Sequence, residues 1–249
     1  MAPRALILLL LAACSPTLID ARDPVQTQPV VSGRPGTRTE IGATVSLVAD
    51  GGSFCTGTLI APRVVVTAAH CLVDLPISIV EVVAGSLSPA DEGQRLAVAS
   101  LTPHPEFSMS GVPTDDEAGL SDERDIGVIV LAQEASVAPA PVVTLGGLEE
   151  ALVDGATTVI IAGYGLTSVA YDADYGRLYV AQTPFVRRGP SEFLACGPGT
   201  PDTCNGDSGG PAYVERDGEL HLAGITSRGA FSEQGDECGS GGIYTLFAA

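Results

Sequence analysis

Two short stretches hold the residue types that acyl transfer needs. Residues 204–211 read Cys-Asn-Gly-Asp-Ser-Gly-Gly-Pro, which sets Ser208 among glycines and beside Asp207. Residues 67–71 read Thr-Ala-Ala-His-Cys, and His70 is one of only 3 histidines in the chain. A serine hydroxyl is a weak nucleophile until a positioned base takes its proton. An imidazole, with an ordinary pKa of about 6.5, can take that proton and return it at neutral pH. Gly206, Gly209 and Gly210 permit backbone angles that side chains forbid, and they let a carbonyl approach the chain. The other histidines have plainer settings. His104 sits in a Thr-Pro-His-Pro-Glu-Phe turn, and His221 in Glu-Leu-His-Leu-Ala reads as an exposed strand position.

A base of this kind needs a carboxylate to hold its tautomer, and that carboxylate must be buried. Asp125 opens the apolar run Ile126 to Leu131, a strand start suited to burial. Asp115, Asp116 and Asp122 belong to the polar loop 108–124, with no apolar strand behind them, and are expected to face solvent. That loop is read as an insertion, passive or acting on substrate approach.

In these segments the chain resembles the trypsin-like (chymotrypsin-fold) serine proteases, over residues 30–247. The resemblance implies two packed antiparallel six-stranded β-barrels with the active site in the cleft between them. It implies a serine endopeptidase acting through an acyl-enzyme on Ser208, with His70 as general base and Asp125 as its orienter. The oxyanion hole would be the backbone N–H groups of Gly206 and Ser208. No metal or cofactor is implied, and the substrates would be proteins or peptides. Asp202, six residues before Ser208, stands where relatives that cut after arginine or lysine carry an aspartate. Gly229 and Gly242 match the glycines that line that pocket, and Ser227 matches a serine beneath the catalytic aspartate. A plain turn residue is the other reading of Asp202.

The resemblance also implies that cleavage before Val30 frees an α-amine that pairs with Asp207. It implies the disulfides Cys55–Cys71 and Cys204–Cys238. Four features depart from the family pattern. Pro29, rather than arginine or lysine, precedes Val30, so another protease is expected to cut there. Arg228 replaces a tryptophan beside the substrate path, where it would repel a basic side chain, favour acidic residues, or point to solvent. Cys196 has no upstream partner between residues 145 and 195. Relatives continue into a helix after the last strand, whereas this sequence stops at Ala249, which is read as leaving an apolar patch open or as a truncated gene. These departures keep one alternative in view, a catalytically inactive protease-like binding module.

The surrounding elements agree with an all-β frame. The 249 residues are 45% apolar, with 30 Gly and 18 Pro, and the apolar runs are short and β-branched. Val64 to Val66, Ile77 to Val83, Ile126 to Leu131 and Val159 to Ile161 are separated by turn residues. This favours an all-β sandwich or barrel pair over helices. Residues 30–145 are assigned to an N-terminal barrel and 146–249 to a C-terminal one.

Residues 1–29 are read as a signal segment followed by a disordered propeptide or tether. One arginine precedes a short apolar core, too short to span a bilayer. Leu11-Ala12-Ala13-Cys14 resembles a bacterial lipoprotein box, with lipidation at Cys14. The chain is therefore expected to be exported, as a cell-envelope lipoprotein or an extracellular protein. The formal net charge is −18, and all 12 basic residues are arginines. Such acidity argues against nucleic acid and anionic membrane surfaces as partners. Membrane contact would come only through lipid at Cys14, and a monomer is expected. The charge is read as a solvated surface or, more sharply, as steering for cationic substrates.

Overall fold

A computed structural model describes residues 29–90, 92–109, 119–153, 157–166, 176–195, 199–230 and 238–248. Cys14, Asp115, Asp116 and Cys196 lie outside the described residues, as does the tip of the 108–124 loop.

The described chain is built almost wholly of strands. A helical turn, α1 (Pro29–Ser32), leads into the two-residue strand β1 (Arg34–Pro35). Then come β2 (Thr44–Ala49), β3 (Gly52–Ala61), β4 (Val64–Thr67), β5 (Val80–Ala84), β6 (Gln94–Pro103) and β7 (Gly127–Leu131). These six strands close a barrel in the order β2-β3-β4-β7-β6-β5. A second helical turn, α2 (Leu148–Ala151), precedes β8 (Thr158–Gly163), β9 (Tyr179–Arg188), β10 (Glu192–Ala195), β11 (Pro211–Arg216), β12 (Glu219–Gly229) and β13 (Gly242–Leu246). Their sheet runs β1-β9-β10-β13-β12-β11-β8, and β8 also pairs with β9, so six strands close a second antiparallel barrel.

Period-two alternation distributes the side chains among three apolar layers. Val45, Leu47, Leu59, Val65, Val82, Leu96, Ile129 and Leu131 fill the first barrel. Val159, Ile161, Phe185, Phe193, Val214 and Tyr244 fill the second, where the Phe193 and Tyr244 rings stack with centroids 5.0 Å apart. The intervening residues face the other way. Val66 of β4, Ile160 and Ala162 of β8, and Tyr213 of β11 join Ile41 and Tyr164 in a layer between the barrels. Tyr164 locks that layer, because its hydroxyl donates to Ser86 O at 2.7 Å in the first barrel. A strand buried on both faces explains why β8 reads as a near-continuous apolar run.

Two sequence assignments shift. The start of the 30–145 span packs on the second barrel: β1 pairs with β9, and Val30 is buried among that barrel's core residues. Residues 142–143 also attach there, through Val143 N–H to Leu222 O at 2.9 Å. Within the run Ile77 to Val83, Ile77–Ile79 forms a 3-10 turn with exposed Ile77 and Ile79, and the strand begins only at Val80. Ile79 N–H donates to Pro76 O at 3.2 Å and Val80 N–H to Ile77 O, so the turn closes on itself before the ladder begins.

Candidate active site

His70 follows β4 by three residues, and Asp125 stands two residues before β7, the neighbour of β4 in the first barrel. Their proximity therefore follows from strand pairing. His70 Nδ1 is 2.7 Å from Asp125 Oδ2, and the His70 backbone N–H donates to Asp125 Oδ1 at 2.9 Å. Both carboxylate oxygens are thus fixed by one residue. Ser227 Oγ donates to Asp125 Oδ2 at 2.7 Å, and Thr245 Oγ1 donates to Asp125 O at 3.1 Å. The second barrel therefore grips the aspartate that the first barrel delivers. Burial pushes the Asp125 pKa up, but His70 and Ser227 more than offset it and hold the carboxyl below its usual range. An ionised carboxylate on Nδ1 keeps the proton there and leaves Nε2 free to accept one.

Ser208 lies between β10 and β11, in a loop bolted to both barrels. Its carbonyl accepts Thr56 N–H at 2.8 Å, from β3. Thr56 Oγ1 donates to Gly206 O at 2.9 Å and accepts Tyr164 N–H at 3.1 Å. Gly209 N–H donates to Thr226 O at 2.8 Å, on β12. Gly209 has φ +80°, and a Cβ there would lie 1.9 Å from Thr67 Oγ1 and 2.8 Å from Ala68 N. Only glycine lets the serine loop press against the residues that lead into His70. Cys71 Sγ, a disulfide sulfur with no proton to give, is 3.8 Å from Ser208 O. Gly206 has φ +95°. Among the described residues, neither its N–H nor that of Ser208 is donated to a backbone acceptor.

Cys55–Cys71 closes the histidine loop, and Cys204–Cys238 ties the serine loop to the start of β13. Cys55, His70 and Cys71 are close enough to suggest a metal site. The two sulfurs are bonded to each other, so the group has no thiolate to offer.

Two further carboxylates lie near these loops. Asp202 is buried; Oδ1 accepts Thr203 N–H at 2.8 Å, while Oδ2 accepts Gly239 N–H at 3.0 Å and Gly241 N–H at 2.9 Å. Burial pushes its pKa up, and these three donors pull against that. Gly229 and Gly242 stand opposite one another on β12 and β13. A Cβ on Gly242 would come within 2.7 Å of the Tyr244 hydroxyl. Asp207 is fully buried, accepting Gly165 N–H at 2.8 Å and Cys204 N–H at 2.9 Å. Burial drives its pKa to about 7. Val30 is peptide-bonded to Pro29 and does not pair with Asp207; among the described residues no cation does.

Arg228 does not point to solvent. Its guanidinium folds onto Glu192, with Nη1–Oε1 2.7 Å and Nη2–Oε2 2.9 Å, and onto Glu123 at 2.9 Å. Glu192 is an addition to the sequence reading. Its one signal is a charged residue opening the apolar strand Phe193 to Ala195, and its partner is 36 positions away. Thr56 was equally silent, since its role depends on β3 of one barrel meeting the serine loop of the other. Arg228 and Glu123 line a cavity of about 280 Å³ beside His70, with Phe107 and the exposed Met109. His104 receives Glu106 N–H in a turn, His221 sits on β12 opposite Val214, and Asp122 is exposed and paired with Arg124.

A family model described as Trypsin matches residues 30–249. A trypsin from Saccharopolyspora erythraea is 33% identical over 221 residues, covering 83% of this chain and 88% of that protein. A vitellin-degrading protease from Bombyx mori is 28% identical, covering 88% of this chain and 81% of that protein. The solved structure of neuropsin, a serine protease expressed in the limbic system of mouse brain, superposes with a TM-score of 0.68 at 27% identity. It covers 87% of this chain and 94% of that chain.

Proposed function

The chain belongs to the trypsin family and is a serine endopeptidase, and on that premise we propose that Ser208, His70 and Asp125 carry out its hydrolysis after arginine or lysine. The single observation that carries the assignment is the His70–Asp125 hydrogen bond of 2.7 Å beside the clamped Ser208 loop. His70 Nε2 takes the Ser208 proton as Oγ attacks the scissile carbonyl. The carbonyl oxygen becomes an oxyanion that the Gly206 and Ser208 N–H groups receive. The imidazolium then protonates the leaving amine, and an acyl-enzyme remains. Water, deprotonated by the same imidazole, attacks the acyl carbonyl and releases Ser208. Asp125 stays ionised and stabilises the imidazolium.

Preference for a basic side chain is supported by the buried carboxylate of Asp202, which accepts the N–H of Gly241, the residue before the Gly242 that pairs with Gly229. A cation in that pocket would gain a charge-assisted contact that a neutral side chain cannot make. Activity is proposed to follow cleavage before Val30, since a new α-ammonium would neutralise the fully buried Asp207. The residues leading into this site support it. Val30 has φ +37° and Ser32 φ +69°. Such angles are costly for non-glycine residues, and a cut before Val30 removes the constraint at Val30. Export with lipidation at Cys14 is proposed from the leader alone; its check is loss of membrane-fraction protein in Cys14→Ala.

The test compares arginyl, lysyl, phenylalanyl and alanyl peptide substrates with the chain processed before Val30. Arginyl or lysyl turnover is expected, falling about 10⁶-fold in Ser208→Ala and roughly 100-fold or more in Asp202→Ser. Turnover of the phenylalanyl substrate alone would overturn the role of Asp202. No turnover on any of them would favour a binding module.

A further inference from the structure

Glu192 is wholly buried at the head of β10. A buried carboxylate must be paired, and this one takes both nitrogens of the Arg228 fork together with Ser121 N–H at 2.7 Å and Ser121 Oγ at 3.3 Å. The two charges reach across β13, which lies between β10 and β12. Apolar replacement of such a pair is often neutral for stability, so stability alone is a weak reason to keep it. A bidentate fork does supply orientation, because it fixes a plane as well as a distance.

What the fork orients is the approach to Asp125. Residues 119–124 run into Asp125 with no strand ladder to hold them. Three alternate residues of that segment are fastened to the ion pair instead. Arg228 Nη2 donates to Gly119 O at 2.8 Å and Ser121 Oγ at 3.0 Å, and Nη1 meets Glu123 at 2.9 Å. Arg228 Nη1 also lies 3.2 Å from Ser227 Oγ, which donates to the oxygen of Asp125 that faces His70. Glu192 stands opposite Thr245, which holds the Asp125 carbonyl.

We propose that Glu192 and Arg228 are positioning residues for Asp125, holding both the segment that delivers it and the serine that orients its carboxylate. Glu192 acts from the core, wholly buried, while Arg228 also lines the cavity beside His70. This rests on the reading of Asp125 as the orienter of His70.

The test uses the processed chain and the double variant Glu192→Leu, Arg228→Met, which removes both charges of the fork together, while Glu123 loses its contact with Arg228. On an arginyl substrate kcat is expected to fall roughly 10- to 100-fold, with KM changed less than about twofold. The low-field proton resonance of the His70–Asp125 hydrogen bond is expected to broaden or move upfield. Arg228→Lys, which keeps the charge but not the fork, is expected to fall between wild type and double variant. Should the double variant not fold, Glu192→Gln keeps the shape, and a smaller change in the same direction is expected. An unchanged resonance with unchanged kcat, in a folded double variant or in Glu192→Gln, overturns the proposal. Wild-type inactivity would instead count against the peptidase reading and leave the resonance measurable.

Discussion

At the scale of single residues, the distinction that matters is between Asp125 and Asp207, two buried carboxylates with opposite tendencies. Asp125 is held ionised by His70 and Ser227, and its replacement should act on chemistry rather than on folding. Asp125→Asn is expected to lower kcat by about 10⁴-fold, since an amide cannot enforce the tautomer. KM should move little, and steady-state kinetics on the arginyl substrate check this; a fall in KM-weighted binding alone would contradict it. Asp207 is held mostly by burial and two N–H donors. The glycine motif around Ser208 was legible because a glycine there answers a local need, as Gly209 does against Thr67 and Ala68. The fate of Arg228 was not, because its partner Glu192 becomes a neighbour only through the order of three strands. A lone arginine in place of an aromatic residue carries no sign of where its charge will be neutralised.

Among the elements, the loops between strands do the assembling. The pairing of β4 with β7 brings His70 to Asp125, and the bracket from Thr56 ties the Ser208 loop to β3 of the same barrel. Cys55–Cys71, 16 positions apart, pins one end of this arrangement. Replacing both cysteines by serine is expected to cost about 3 kcal/mol in the chain-entropy account. At this chain length that corresponds to a melting temperature roughly 6–12 °C lower. Calorimetry of the Ser208→Ala background, where self-digestion is suppressed, measures it. Gly209→Ala should be worse for activity than for melting temperature, because a Cβ would push the serine loop off Thr67 and Ala68. The strands themselves were readable from short β-branched runs set apart by turn residues. The place of β1 was not, since two residues carry no periodicity, and its pairing with β9 is decided by burial of Val30.

For the whole molecule, the two barrels share one apolar layer, and the serine loop is fastened to both. The state of the chain before Val30 should then show in its pH dependence. Asp207 has a folded pKa of about 7, against about 4 for a carboxylate in an unfolded chain. The folded state therefore binds this proton more tightly. Its stabilising effect is complete below the unfolded value and is lost as pH rises to about 7. Burial raises Asp202 and Glu123 in the same sense. The uncut chain is expected to lose melting temperature steadily from pH 4 to pH 7. The chain processed before Val30 should lose less, because the α-ammonium compensates the Asp207 charge. Parallel melts of the two forms in the Ser208→Ala background check this, and identical slopes would count against the pairing of Val30 with Asp207.

The account turns on Ser208 being made nucleophilic by His70. The most direct measurement is peptide mapping by mass spectrometry after treating the processed chain with a fluorophosphonate. A single phosphonyl adduct on Ser208 is predicted, absent when His70 is replaced by alanine. An adduct on another residue, or equal labelling with and without His70, would contradict it.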